Sequence, residues 1–263
     1  MKKNIRKFAP AMLVLVALAT LSFMAKDGVT LRLRPQQGKT YTVTTKANMM
    51  TMMEVQGQTM NMSQNMETRQ SFTATKVTDA QSDIETQVEA IKMTISQMGM
   101  KFEYDSENPE KTSPMLASQT KELEKTLKKP VNVSYDALGK LVGDSIKLEN
   151  SQLGNVIVEF PENELTVGSK WNNNKTQEIS GNEVKINMEY TVTAISKKSV
   201  DVSFVGNIES ADVTGTYNGT ASIDPQTGLT MSSTTKTNIS MTVTEQGMSI
   251  PITVVGTTTV EVK

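Results

Sequence analysis

The stretch Gln58-Thr59-Met60-Asn61-Met62-Ser63-Gln64-Asn65-Met66-Glu67-Thr68-Arg69-Gln70-Ser71-Phe72-Thr73-Ala74-Thr75-Lys76-Val77 decides the architecture. Met60, Met62, Met66, Phe72 and Ala74 share one parity, and polar residues hold most of the other. Alternation with a period of two and one apolar face predicts a long, half-buried antiparallel strand. The pattern recurs along the chain. Val184, Ile186, Met188, Tyr190 and Val192 form one set, and Val200, Val202, Phe204 and Ile208 another. Leu229, Met231, Ile239, Met241 and Val243 form a third. The 35 threonines supply β-branched side chains that fit a pleated surface.

Turn chemistry separates these strands. Gln56-Gly57, Met98-Gly99 and Gln246-Gly247 sit in or beside alternating segments, and Gly99 and Gly247 suit the positive φ of a tight hairpin. In Asp224-Pro225-Gln226-Thr227-Gly228 the Asp can bond the backbone ahead, Pro presets φ and Gly closes the turn. Asn218-Gly219 reads either as a turn or as part of one strand running from Val213 to Ile223.

One helix is predicted over 114–129. Ser113 suits the N-cap and Pro114 the first helical position. Leu116, Leu123 and Leu127 fall on one face, Lys125, Lys128 and Lys129 favour the C-terminal end, and Pro130 stops it. The helix separates two β-rich halves, about 29–112 and 131–263 in sequence. Each half opens on a glycine followed three residues later by an aromatic, Gly38 to Tyr41 and Gly168 to Trp171. The expected class is all-β, mainly antiparallel, with long curved strands in a half-barrel or open barrel and one central α-helix. Residues 26–263 are expected to form one domain, built from two similar halves or from one shared sheet.

Composition narrows the chemistry. The 263 residues carry 27 basic and 28 acidic side chains, so nothing marks a nucleic-acid partner. Histidine and cysteine are both absent, which excludes Ser-His-Asp and Cys-His catalysis, zinc fingers, thiolate chemistry and disulfides. Lys2, Lys3, Arg6 and Lys7 precede an apolar run from Phe8 to Ala19 with small residues at Ala17, Ala19 and Ala25. This is the pattern of a secretory signal peptide over 1–25. It predicts export to the periplasm, or to the extracellular side or outer cell envelope, with no transmembrane segment in the mature chain.

Several ordered motifs carry a family resemblance. They are Gly38-Lys39-Thr40-Tyr41, Gln64, Phe102-Glu103-Tyr104-Asp105-Ser106 and Tyr135-Asp136-Ala137-Leu138-Gly139-Lys140. Phe160-Pro161, Val167-Gly168-Ser169-Lys170-Trp171 and Ile223-Asp224-Pro225-Gln226-Thr227-Gly228 complete the set. Together they resemble a family of exported, β-rich bacterial envelope proteins of unknown function. Many of its members look like lipoproteins, whereas this chain lacks the cysteine that carries the lipid. The architecture is more distantly similar to lipoprotein-carrier half-barrels, which hold acyl chains on a bent sheet. That resemblance implies a lipid or acyl-chain ligand.

Ten of the 18 methionines fall between Met49 and Met100. Methionine is flexible and polarizable, and adapts to varied apolar partners as well as to ordinary core filling. The candidate ligand-binding residues are Met49, Met53, Met60, Met62, Met66, Phe72, Met93 and Phe102. Met50 and Met52 have the opposite parity to Met49 and Met53, which adds apolar surface to the other face. The expected function is a non-enzymatic envelope protein that binds a lipid or acyl chain on a concave sheet, without a cofactor. The alternative is a structural or protein-interaction role in the envelope. A weaker alternative is Cu(I) binding by thioethers at Met60-Asn61-Met62 and Met98-Gly99-Met100. Glu103, Asp105 and Glu107 read as a solvated turn, or as an acid–base pair or calcium site. Ser169-Lys170 and Ser113 with Lys111 are weak nucleophile–base candidates, and Trp171 reads as a core anchor.

Overall fold

The computed structural model describes residues 28–55, 57–143, 156–179, 182–210, 212–245 and 248–263. The expected signal segment over 1–25 and the Gln246-Gly247 turn lie outside them. The strands are β1 (Thr40–Val55), β2 (Gln58–Val77), β3 (Gln81–Gln97), β4 (Met100–Asp105), β5 (Val131–Asp136) and β6 (Lys170–Ile179). They continue with β7 (Asn182–Ile195), β8 (Val200–Glu209), β9 (Val213–Ile223), β10 (Thr230–Glu245) and β11 (Met248–Val262). All join one 11-stranded sheet in the order β4-β3-β2-β1-β11-β10-β9-β8-β7-β6, with β5 also on β3. The named strand pairs are all antiparallel. The sheet is open and curved and does not close into a barrel.

Local chemistry explains the hairpins. Met98 and Gly99 both have positive φ, 51° and 78°, as a two-residue turn matched to strand twist requires. Asp224 accepts bonds from the Gln226 N–H at 2.8 Å and the Thr227 hydroxyl at 3.0 Å, and closes the predicted turn. Asn218-Gly219 lies inside β9, so the continuous-strand reading holds. A side chain at Gly219 would collide with the Phe204 ring, which lies across it from β8.

The helix, α1 (Ala117–Thr126), is shorter than the predicted 114–129. Ser113 does not cap it, because its hydroxyl accepts the Glu103 N–H at 2.9 Å and its own N–H donates to the Glu103 carbonyl at 2.8 Å. Ser113 is therefore bound to β4, and the helix starts only after Leu116. At the other end Lys128 has φ 58° and donates its N–H to the Val88 carbonyl at 2.8 Å. The predicted apolar stripe is real: Leu116, Leu123 and Leu127 pack with Ile91, Met93 and Tyr104.

One face of the sheet carries the core. The segments ahead of β1 and between β5 and β6 strap its base. Val29 and Leu165 exchange backbone bonds, Leu33 N–H reaches Ala137, Phe160 N–H reaches Leu138, and Thr230 N–H reaches Val156. Beneath them lie two clusters, one around Leu33, Tyr41, Phe72 and Ile84, the other around Leu31, Phe160, Trp171 and Val202. Burial at roughly 25 cal/mol per Å² of apolar area makes these clusters the main stabilising term.

The two outer edges differ. Along the outer side of β3, β5 pairs Gln81–Thr86, Val88 bridges to Leu127, and β4 pairs Lys92–Gln97. Ser113 then caps Glu103 of β4, and Leu141 bridges to Tyr135 of β5. At the opposite end, among the described residues, β6 pairs only with β7.

The halves share local wiring. Gly38 donates to Ala74 and Gly168 to Val192, both at 2.8 Å. Thr75 donates to the Asp83 carbonyl as Thr193 does to that of Asp201. Ser134 donates to the Asp83 carboxylate as Ser222 does to that of Asp201. These are likenesses of local hydrogen bonding, and β5, which falls in the predicted second half, takes part in the first set.

Candidate functional site

The register places all eight candidate residues on the core face. Met53 sits opposite Met60, Met49 opposite Gln64, Thr51 opposite Met62, and Met66 opposite both Ala47 and Met93. Phe102 sits opposite Ile95. They do not form one group. Phe72 is wholly buried against Tyr41, with ring centroids 5.6 Å apart, and belongs to the strapped core. Met93 and Phe102 pack with the cluster under α1, and Gln64 Nε2 donates to Met93 Sδ at 3.4 Å. Met49, Met53, Met60 and Met62 lie half-buried towards the strand tips, beyond the straps. Val254 and Ile252 of β11 and Ile239 and Met241 of β10 continue that surface. A shallow hollow of about 480 Å³ at the tips is lined in part by Met60, Met62 and Met98.

A second cavity of about 300 Å³ opens on the same face over β6–β10, at the margin of the strap. Met188, Tyr190, Phe204 and Tyr217 line it from the sheet, and Ile157 and Val158 from the strap. Tyr190 stacks on Trp171 with centroids 5.0 Å apart, and Trp171 Nε1 donates to the Glu159 carbonyl at 2.9 Å. Asn173 Nδ2 donates to the same carbonyl at 3.1 Å, and Lys175 Nζ lies 2.9 Å from the Glu159 carboxylate. Burial, with Glu159 nearby, pushes the Tyr190 phenol up to about 12, and burial raises Tyr217. Both stay neutral at physiological pH, so Glu159 and Lys175 are the charged groups in the lining. Thr230 lines the cavity with its hydroxyl buried and without a hydrogen-bond partner. The methionine count drew attention to β1–β3 and away from this cavity. Its signals were the Ile186-Met188-Tyr190 alternation and the glycines Gly206 and Gly219, over which Met188 and Phe204 lie.

The other candidate chemistry resolves into structure. Glu107 accepts from Arg69 at 2.6 Å and lies 3.4 Å from Lys92. Asp105 accepts from the Asn108 amide and the Glu107 N–H, and Glu103 pairs with Lys101. Arg69 and Lys92 hold the Glu107 carboxyl below its ordinary range. Burial pushes Asp105 upward, but Asn108, the Glu107 N–H and Lys92 outweigh it and hold it low. An acid–base pair needs one carboxyl raised, whereas both of these are depressed. Ser169 Oγ accepts the Thr166 N–H, and Lys170 pairs with Glu189 at 2.8 Å, so the two do not meet as nucleophile and base. Among the described residues no helix is long and apolar enough to cross a membrane.

No curated protein sequence matches the chain. Among solved structures it is similar to one described as "Lipid-protein interactions in lipovitellin", at 12% identity and a TM-score of 0.51, covering 87% of this chain and 25% of that one. The chain therefore spans about a quarter of that structure's length, and the likeness is one of fold. An outer membrane channel from Pseudomonas putida F1 matches at 8% identity and a TM-score of 0.28, covering 90% of this chain and 98% of that one. The translocator domain of autotransporter NalP from Neisseria meningitidis matches at 8% identity and a TM-score of 0.21, covering 94% and 95%. Residues 144–230 match the model of a family described as "Family of unknown function (DUF6263)", which bears out, for that stretch, the likeness to a family without an assigned role.

Proposed function

We propose that the protein is an exported, non-enzymatic component of the bacterial cell envelope that binds a lipid or acyl chain on the apolar face of its open sheet. The observation that carries this reading is the extent of that face. Its base is strapped, but towards the strand tips Met49, Met53, Met60, Met62, Ile252 and Met241 remain half-buried with no layer described above them. A sheet buries its apolar face against something, and contiguous apolar surface marks interaction sites. The flexible thioethers suit a ligand of variable shape. The fold likeness to lipovitellin, whose structure was described for its lipid–protein interactions, supports the same reading. The lack of histidine and cysteine, with Glu103, Asp105 and Glu107 held in ion pairs, supports a role without catalysis.

The test is native mass spectrometry of protein purified gently from the envelope fraction, with solvent extraction of bound lipid. The expected result is a reproducible lipid adduct, weakened when Met62 and Met53 are replaced by Asp in a protein that keeps its circular dichroism. A clean apo mass in every preparation, with no uptake of added phospholipid or fatty acid, overturns the proposal.

A second reading, an envelope interaction protein, draws on the open edge of β6. An unpaired strand edge can accept a partner strand. Protease footprinting that shows β6 protected in the envelope and accessible in the purified protein would favour it.

A further inference from the structure

We propose that the cavity over β6–β10 is a headgroup-selective site for a single-chain amphiphile carrying both a positive and a negative charge. The inference rests on the lipid-binding reading above and adds a place and a ligand class. Its basis is the combination of one apolar cavity, one ion pair at its rim and one buried hydroxyl without a partner.

The apolar part comes from alternate residues of adjacent strands. Met188 and Tyr190 on β7 face Phe204 on β8, and Tyr217 on β9 sits opposite Gly206. Gly206 and Gly219 let Met188 and Phe204 lie flat against the sheet. The result is a broad floor without a tall side chain in its middle. The cavity, of about 300 Å³, is at the lower end of the range for small-molecule sites, which fits one chain and not two.

The rim selects the head. Glu159 reaches down from the strap and Lys175 across from the edge strand, 2.9 Å apart, with side chains 21% and 34% exposed. The Glu159 main chain is pinned by Trp171 and Asn173. A head with a single charge placed beside this pair meets one attractive and one repulsive partner, and the two terms nearly cancel. A neutral head gains its apolar contacts and hydrogen bonds to groups such as Ser233 and Thr235, but no charge pairing. A zwitterionic head can lie antiparallel to the pair, its ammonium beside Glu159 and its phosphate beside Lys175. Both terms are then attractive and the protein's own ion pair stays intact. Partial burial keeps these interactions less screened than on open surface.

Thr230 is the independent observation. Buried hydroxyls are paired in most proteins, and an unpaired one in a cavity wall calls for an explanation. Its side chain is fully buried, its hydroxyl has no partner, and it lines this cavity. Its oxygen is sealed from solvent, so a ligand oxygen, such as the glycerol hydroxyl or ester of a lysophospholipid, partners it only as the cavity wall opens on binding.

Trp171 makes the test direct. It is the only tryptophan in the chain and it stacks on Tyr190 in the cavity wall, so its emission reports on this site. The full mature protein is titrated below the micelle concentration with lysophosphatidylethanolamine, laurate and monolauroylglycerol, and bound ligand is counted in parallel by native mass spectrometry. The expected result is a shift in Trp171 emission with lysophosphatidylethanolamine, at least tenfold tighter than with laurate. Thr235→Phe, which fills the cavity from β10, abolishes the shift. Lys175→Met, on the exposed edge strand, removes the preference for the zwitterion and keeps the weaker binding of monolauroylglycerol; it serves where the bulky change blocks folding. Equal affinity for all three heads, or a preference unchanged by Lys175→Met, overturns the headgroup assignment. Adducts in the mass spectrum without any change in emission overturn the location while leaving lipid binding intact. No adduct with any of the three ligands defeats the broader reading as well.

Discussion

Replacing Thr230 by Val separates what the fold needs from what a ligand would need. Valine has nearly the shape of threonine, so packing at this fully buried position is kept and only the hydroxyl is lost. The Thr230 N–H bond to Val156, 3.1 Å, belongs to the backbone and survives. A buried polar group without a partner costs about 1–3 kcal/mol, and removing it returns that amount to the folded state. For a chain of this size each kcal/mol moves the melting temperature by about 2–4 °C, so a rise of several degrees is expected. Thermal unfolding followed by circular dichroism, with urea unfolding as a check on the slope, measures it. Valine should at the same time weaken binding of lysophosphatidylethanolamine, since the hydroxyl can no longer meet a ligand oxygen. A fall in melting temperature would refute the reasoning, because it would mean that the hydroxyl already has a partner in the folded protein.

Leu116→Ala removes a side chain only 4% exposed from the contact between α1 and the sheet, and should cost about 2–5 kcal/mol in urea unfolding. A loss below about 1 kcal/mol would mean that the helix contributes little to the core there. Gly228→Ala places a Cβ against the Arg32 carbonyl at a φ of +70°, so a loss of at least about 2 kcal/mol is expected, read as a lower denaturation midpoint. Arg69→Met removes the largest cause of the depressed Glu107 titration. A carboxyl held low in the folded state adds stability above its ordinary value of 4.5 that disappears as pH falls through its folded value. The stability gap between wild type and Arg69→Met should therefore be full at neutral pH and close in acid, and a gap independent of pH would refute the linkage.

The strands and their facing were legible because a period of two is a physical property of extended backbone. Met60, Met62, Met66 and Phe72 had to share a face once β2 was extended, and they do. The helix was legible in its apolar stripe but not in its start, since Ser113 can bond either to a helix or to a strand and the neighbouring Glu103 backbone claims it. Phe72 shows the limit of composition. Its parity places it on the right face, but parity says nothing about which end of a strand lies under a strap. The cavity over β6–β10 was missed for a related reason. It depends on where residues 157–159 cross the sheet, a long-range relation that no local pattern encodes.

The unequal edges of the sheet set a limit on self-assembly. A protein with two bare edges can add copies of itself at both, and nothing stops the stack from lengthening into a fibril. Here the β3 side is partly covered by β4, β5 and the Ser113 and Leu141 contacts, while among the described residues β6 carries no strand on its outer side. Two molecules joined antiparallel through their β6 strands would present to a third only their β3-side margins, which the insert partly covers. Such a contact is isologous and complete at a pair. The short insert between β3 and β5 thus narrows the edge that a threonine-rich sheet of this length offers to another copy of itself.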